Sequence, residues 1–296
     1  MPEGHSVHRL ARQFTSVFAG ERLAVSSPQG RFAAGAARLD GATLLSALAH
    51  GKQLFLRFDN DRVLRVHLGL YGAWSFGGDG TFRGASSIGA PRRVGESEQA
   101  SDDDGTSSGG TYSGPPEPVG AVRVRLVSAH GWADLRGPTA CEVITGAEEE
   151  AARAKLGPDP LQPGSDGSIF VRKVTSSITP VGVQLMNQAV VAGIGNVYRA
   201  EVLFLQGINP WRPGRQVRED EAVGIWADTV RLMQDGVREG RIITTTAEAR
   251  NGRPKGSAPH YVYKRTGEPC RRCGTAILTA EMAARNVYWC PRCQGE

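Results

Sequence analysis

Four of the chain's five cysteines fall near its end as Cys270-x-x-Cys273 and Cys290-x-x-Cys293, with sixteen residues between the pairs. Each pair forms a tight turn that aims two thiolates at one point. Two such turns on a hairpin close a tetrahedral site for one structural zinc ion per chain. The competing reading, free or disulfide-bonded thiols, needs an oxidising compartment. Cys141 stands apart and reads as a small buried hydrophobe. A second chemical signal is Val191-Ala192-Gly193-Ile194-Gly195-Asn196, which is no dinucleotide fingerprint because Tyr198 stands where G-x-G-x-x-G needs glycine. Its glycines permit close backbone approach, and Asn196 is expected to cap the next helix, whose N–H groups and dipole could receive a phosphate. An ordinary turn between two helices would look the same. The third signal is the N-terminus, Met1-Pro2-Glu3-Gly4-His5. Removal of Met1 would leave the secondary amine of Pro2, titrating near about 8 where a lysine titrates near ~10.4, and so partly neutral and nucleophilic at physiological pH. Attack of that amine on a sugar C1′ yields a charged iminium, with Glu3 beside it to protonate the opening ring and move protons in an elimination. Taken alone, Pro2-Glu3 would equally well just start a helix.

These groups need elements to hold them. Val7, Leu10, Ala11, Phe14, Val17 and Phe18 follow helical spacing, so a helix begins almost at the first residue, with Pro2 where a helix start tolerates proline. Strand-like runs follow at 22–26, 53–58, 63–68, 71–76, 119–127 and 132–135, separated by Gly, Asp and Asn turns, and read as an antiparallel β-sandwich behind one leading helix. After Pro138 the periodicity turns helical, with helices expected at 148–155, 169–174, 181–188, 196–205 and 219–239. The last of these should bury Ala222, Val223, Trp226, Val230, Met233 and Val237. From Tyr261 the chain returns to short strands around the cysteine pairs. The fold class is therefore α+β: a catalytic β-sandwich domain over 1–140, a helical domain over 141–260 and a zinc-ribbon hairpin over 261–296.

Composition narrows the partners. A chain of 296 residues holds two domains more readily than one. It has no run of about 18 apolar residues, and its first dozen carry His5, His8, Arg9 and Arg12 in place of the apolar core of a secretory signal. A cytoplasmic protein with no membrane partner is expected, nucleoid-associated if bacterial. Net charge is +5, although residues 77–118 alone carry three arginines against seven acids. A basic body of this kind draws a polyanion with steep salt dependence. The 77–118 stretch is Gly-, Ser-, Asp- and Pro-rich with almost no apolar residues, and reads as a disordered insertion, with a DNA-modulating or partner-binding segment as the other reading.

Taken together, the motifs resemble the Fpg/Nei family of bifunctional DNA glycosylases, in its endonuclease VIII branch. The resemblance spans nearly the whole chain, failing only at 77–118. Pro2-Glu3-Gly4 is similar to the family's N-terminal signature, and His50-Gly51-Lys52 with the following strand to its catalytic-lysine strand. Leu156-Gly157-Pro158-Asp159-Pro160-Leu161 resembles its interdomain linker, 184–210 its helix-two-turn-helix element, and Arg285, five residues before Cys290, its zinc-finger arginine. The resemblance implies that Pro2 is the nucleophile, Glu3 the general acid/base and Lys52 a phosphate-contacting lysine that assists elimination. Arg285 and Asn196 would then grip the phosphates around the lesion. It further implies that Leu70 and Tyr71, in His67-Leu68-Gly69-Leu70-Tyr71-Gly72, form a wedge that fills the stack when the target nucleotide is flipped. In the 8-oxoguanine branch the first wedge is usually methionine and an arginine-phenylalanine pair completes the set. Here Leu70 stands first, and Leu135-Arg136-Gly137-Pro138 lacks the phenylalanine, which leans the substrate towards oxidised pyrimidines and leaves Arg136 as a further DNA contact. The implied reaction is excision through a Pro2 Schiff base followed by β- and δ-elimination on damaged DNA, duplex or single-stranded, by a monomer. Two other readings stand beside it: a non-catalytic DNA-binding module of the same fold, and a zinc-ribbon RNA-binding protein that has no use for a free Pro2 amine.

Overall fold

In the computed structural model, residues 2–90 and 114–295 are described. The chain divides into two compact units, Met1–Ala154 and Lys155–Glu296. No helix among the described residues is long and apolar enough to cross a membrane.

The first unit opens with α1 (Gly4–Phe18), followed by β1 (Ala24–Ser26), α2 (Ala33–Leu39), β2 (Leu44–His50), β3 (Gln53–Phe58), β4 (Arg62–His67), β5 (Ala73–Gly78), β6 (Ser87–Gly89), β7 (Val122–Val127), β8 (Gly131–Arg136), β9 (Ala140–Thr145) and α3 (Gly146–Ala154). Among the described residues the strands form two antiparallel sheets, ordered β1-β7-β8-β5-β6 and β2-β3-β4-β9. One core unites them. Leu44, Ala47, Leu54, Leu56 and Leu64 from one sheet and Val124, Leu126, Leu135 and Trp74 from the other belong to a single buried cluster. The apolar stripe of α1 enters the same core through Val7, Leu10, Ala11, Phe14 and Phe18. Phe14 meets Trp74 edge-on at 4.8 Å and Phe76 at 5.2 Å between ring centres, and each such fully buried ring contributes about 1.5–3 kcal/mol.

Three expectations shift here. The unit boundary falls at Ala154, not after 140. β9 extends the sheet beside β4, and Arg57 of β3 binds the buried carboxylate of Glu149 in α3 through two 2.7 Å hydrogen bonds. The interruption expected from 77 begins later in the described residues, because β5 runs through Gly78 and β6 pairs with Ala73–Ser75. Gln13 of α1 secures the backbone of Ala85 ahead of β6 with two 2.9 Å bonds. The remainder of that stretch, 91–113, lies outside the described residues. Finally, α2, β2, β6 and β9 are additional to the elements expected from the sequence.

The second unit contains α4 (Gly167–Thr175), α5 (Val181–Gln184), α6 (Asn196–Leu205), α7 (Glu219–Glu239) and the hairpin β10 (Leu278–Met282) with β11 (Arg285–Trp289). The extents of α6 and α7 match their 3.6-residue periodicity. α5 is shorter than expected, because from Leu185 the chain breaks into turns up to Asn196. The buried stripe of α7 is rotated from the expected one. Ala222, Ile225, Thr229, Leu232, Met233 and Val237 are buried, whereas Val223 is 51% exposed. Thr229 is tolerated inside because its hydroxyl donates to Ile225 O at 2.7 Å. α6 is buried nearly all round. One face packs Tyr198, Val202 and Leu203 into the helical core, and the other packs Ala200 and Phe204 against Tyr261, Val262, Ile277 and Cys290 of the C-terminal segment. That helix therefore joins the two-turn element to the cysteine hairpin.

Candidate functional site

In the first unit, strand register gathers the chemistry at one edge. α1 runs antiparallel to β2: Gly20 N–H donates to Leu44 O at 2.8 Å, and Thr15 Oγ donates to Ala47 O at 3.5 Å. The start of α1, with Pro2 and Glu3, therefore points towards the end of β2, where His50 pairs with Gln53 across the two-residue turn Gly51-Lys52. Gly51 takes φ +57° there, the left-handed value that the first central residue of such a hairpin turn requires. β4 returns to the same edge, since His67 pairs with Gln53, and β9 leaves from it, since Ala140 pairs with His67. Glu3 is fully buried and is the N-cap of α1, its carbonyl accepting from Ser6 N–H at 3.0 Å. His5, within 3.2 Å of Ser6 Oγ, is pushed down to about 3 by burial, with Arg9, the amino terminus and His8 adding to the effect, so its imidazole is neutral. Burial also lowers His67, helped by the positive charges of Lys52 and Arg65.

The turn after β4 projects from this edge. Leu68 is buried and its carbonyl accepts from Gly72 N–H at 3.0 Å, which pinches out Leu70, 46% exposed, and Tyr71, 81% exposed. Gly69 has φ +68° and a Cβ on it would lie 1.8 Å from Thr139 Oγ1, so the turn seats against the β8–β9 connection only as glycine. Two large apolar side chains held out in water are the shape of a wedge. Arg136, the further DNA contact expected from the sequence, is also bonded within the sheet. Its guanidinium bonds Asp134 Oδ2 at 3.0 Å, Ser75 Oγ at 3.4 Å and Val119 O at 2.6 Å. Asp134, almost wholly buried, also takes a bidentate pair from Arg125 at 2.7 and 2.9 Å.

In the second unit, the N-cap of α6 is Gly195 and not Asn196. Asn196 is the first helical residue, and its amide instead donates to Asn286 O at 2.9 Å. Asn286 directly follows Arg285, which is exposed at the start of β11. The start of α6 and Arg285 are thus brought together across 90 residues of sequence. The loop before α6 is closed by Gln188, which accepts from Gly193 N–H and donates to Ile194 O, both at 3.0 Å. The linker packs on the same loop, with Gly157 N–H donating to Gln188 O at 2.8 Å and Ala192 N–H to Pro158 O at 3.0 Å.

The four Sγ atoms of Cys270, Cys273, Cys290 and Cys293 lie within 4.8 Å of one another. Cys270 and Cys293 are 3.8 Å apart and Cys273 and Cys290 3.5 Å. Tetrahedral coordination at a Zn–S length of about 2.3 Å gives sulfur edges of about 3.8 Å, so the donor set fits one ion. Arg272 N–H and Cys293 N–H point at Cys270 Sγ and Cys290 Sγ, each at 3.4 Å. Buried Gln294 accepts from Cys290 N–H at 3.0 Å and donates to Ile208 O at 2.9 Å, which ties the second knuckle to the chain beyond α6.

Two side chains in α6 carry weight that spacing alone does not reveal. Glu201 is fully buried, and its carboxylate accepts from the backbone N–H groups of Tyr261, Val262 and Tyr263 at 2.8, 2.9 and 2.8 Å and from the Thr244 hydroxyl. It thereby fastens both ends of loop 246–258, which is also cross-linked by Thr244 N–H to Pro259 O at 2.8 Å and Thr245 Oγ to Ala258 O at 2.7 Å. Arg199, also fully buried, donates to Asn196 Oδ1 and to Asn286 O. A charged residue at an otherwise apolar helical position was the one available sequence signal for either.

Three family models match the chain. They describe a formamidopyrimidine-DNA glycosylase N-terminal domain over residues 1–126, a formamidopyrimidine-DNA glycosylase H2TH domain over 156–248 and a zinc finger found in FPG and IleRS over 267–295. The chain is 45% identical to Endonuclease 8 1 of Mycobacterium tuberculosis, over 99% of its own length and 100% of that protein's. It is 31% identical to the DNA-(apurinic or apyrimidinic site) lyase Nei2 of Mycolicibacterium smegmatis, over 99% of each. Among solved structures, a complex between Lactococcus lactis Fpg and DNA containing N7-benzyl-Fapy-dG superposes with a TM-score of 0.73, covering all of both chains at 22% identity. Since identity at this level runs the full length of a relative, and the three domain matches follow one another in the order of the two compact units, the chain belongs to the Fpg/Nei family of DNA glycosylases, in its endonuclease VIII branch.

Proposed function

We propose that the protein is a bifunctional DNA glycosylase and abasic-site lyase of base excision repair that uses the amine of Pro2, freed by removal of Met1, as its nucleophile. The observation that supports this reading is the strand register of the first unit, which brings the Gly51-Lys52 turn and the end of β4, just before Leu70-Tyr71, to the one edge towards which the start of α1 is directed. The neutral amine attacks C1′ of the flipped nucleotide as the base leaves with the glycosidic electron pair and takes up the proton the amine sheds; the C1′–O4′ bond then breaks to give the iminium, with Glu3 protonating the ring oxygen. Loss of a C2′ proton to the Glu3 carboxylate then expels the 3′ phosphate by β-elimination, and loss of the C4′ proton expels the 5′ phosphate by δ-elimination, with Lys52 contacting phosphate. Asn196 and Arg285 serve as the phosphate clamp of the second unit, and Leu70 and Tyr71 as the wedge. Cys270, Cys273, Cys290 and Cys293 would hold a zinc ion that closes the hairpin and takes no part in the reaction. Leu70 in the first wedge position, and the lack of a phenylalanine in 135–138, favour oxidised pyrimidines as the bases removed.

Borohydride trapping on lesion-containing DNA tests this. Protein with Met1 removed should form a covalent adduct, and both a Pro2→Gly variant and protein retaining an N-terminal extension should lose it by about two orders of magnitude. Lesion-specific binding without any adduct would establish the non-catalytic reading instead. Equal affinity for undamaged single-stranded RNA would remove both. Activity on a panel of oxidised pyrimidines, 8-oxoguanine and abasic sites ranks the lesions, and a preference for 8-oxoguanine would refute the pyrimidine assignment.

A further inference from the structure

We propose that Arg199 is a positioning residue that sets the aim of Arg285, an inference that rests on the phosphate-clamp role given above to Asn196 and Arg285. Asn196 and Arg199 stand one turn apart at the start of α6 and address the same acceptor. Arg199 Nη2 donates to Asn286 O at 3.0 Å and to Asn196 Oδ1, while Asn196 Nδ2 donates to Asn286 O at 2.9 Å. This closed triangle has two consequences. The Asn196 amide cannot turn over, because its oxygen must face the guanidinium and its nitrogen the carbonyl. The peptide beside Arg285 is fixed to α6 by two donors at once.

The hairpin tip needs that anchor. Met282 and Arg285 close a two-residue turn made of Ala283 and Ala284, at φ +51° and +58°. Alanine occupies the left-handed region less readily than glycine, so this turn on its own is a weak determinant of where the tip points. Arg199 is fully buried within the first turn of α6, and one of its nitrogens, Nη2, donates to both acceptors. A lysine ends its stem short of the Nη2 position and carries a compact ammonium in place of the planar guanidinium. The triangle therefore converts the rigidity of α6 into a direction for Arg285.

A double-mutant cycle on the zinc-loaded full chain tests the proposal. Arg199→Met and Arg199→Lys are each made in the wild-type and Arg285→Ala backgrounds. Affinity and single-turnover trapping rate are measured on abasic-site duplex DNA well below the melting temperature, with metal content as the control for an intact hairpin. In the wild-type background, Arg199→Met should weaken Kd about tenfold, the scale of one charge-assisted hydrogen bond, with a smaller effect on the rate at saturating DNA. Arg199→Lys should fall within about threefold of the methionine variant and decides the test by itself if that variant does not fold. In the Arg285→Ala background the effect of either substitution should shrink at least about threefold, the remainder acting through the Asn196 amide. Equal losses in both backgrounds, or an unchanged Kd in a folded metal-containing variant, overturn the positioning role. Failure of the wild type itself to prefer or trap lesion DNA would instead overturn the functional reading.

Discussion

Glu201→Gln converts a buried anion that four donors converge on into a neutral amide of the same shape. In the native protein one carboxylate oxygen accepts from Val262 and Tyr263 N–H, and the other from Tyr261 N–H and the Thr244 hydroxyl. Whichever way the glutamine amide turns, its NH2 faces a backbone N–H that can only donate. Turned towards Thr244, whose hydroxyl can rotate to accept, it strands the Tyr261 N–H, at a cost of about 1–3 kcal/mol for a buried unsatisfied donor. The bonds that survive lose their charge assistance, worth a further ~1–2 kcal/mol in total. A loss of about 3–4 kcal/mol is expected. At roughly 3 °C per kcal/mol for a unit of this size, the melting temperature should fall by about 10 °C. Calorimetry on the metal-loaded chain reads the shift, and hydrogen exchange locates it. Protection should be lost first at Tyr261, Val262 and Tyr263 and through loop 246–258, whose ends this carboxylate holds. A fall under about 3 °C with unchanged protection at those three amides would refute the assignment of Glu201 as the anchor of the loop.

Cys290→Ser should release the metal and melt the hairpin, seen as loss of bound zinc and of lesion-DNA affinity; full zinc content and unchanged affinity would contradict the four-cysteine site. Combined Leu70→Ala and Tyr71→Ala should leave the melting temperature within about 2 °C, because both side chains already face solvent. The same pair should slow excision from duplex at least tenfold and affect single-stranded substrate less, and equal effects on both would argue against a wedge. His5 stays neutral in the folded chain down to about 3, whereas the unfolded chain takes up that proton below about 6.5. The unfolded state therefore binds more protons between those values, and this contribution is fully present above pH 6.5 and is lost as pH falls through that window. His5→Gln should flatten urea stability against pH between about 6.5 and 4, and an unchanged slope there would show that other groups set the acid sensitivity.

How much was legible in the sequence depended on the distance over which each feature is decided. α6 and α7 follow from 3.6-residue periodicity and β3 from a run of alternating and aromatic residues, all settled within one or two turns of chain. β2 did not stand out, because Leu44-Leu45-Ser46-Ala47-Leu48-Ala49 suits a helix as well as a strand, and only pairing with β3 decides. β9 has an irregular burial pattern, and its strand state comes from the open edge of β4. The buried stripe of α7 is rotated because Ile225, Thr229 and Leu232 face the partners the fold supplies, and one helix has no means of choosing between adjacent apolar stripes.

The candidate site divides the same way. By itself the sequence determined the four cysteines, whose spacing is a coordination geometry written locally, and it supplied Pro2 and Glu3 as the residues proposed for catalysis. The tertiary structure alone decided what surrounds them. It tied Arg136 to Asp134 and moved Asn196 from helix cap to hairpin anchor. It also gave Glu201 and Arg199 their partners 43 to 87 residues away. The physical reason is that a buried polar side chain must find a partner of matching chemistry wherever the packed chain presents one, and periodicity carries no record of which distant carbonyl or N–H that will be.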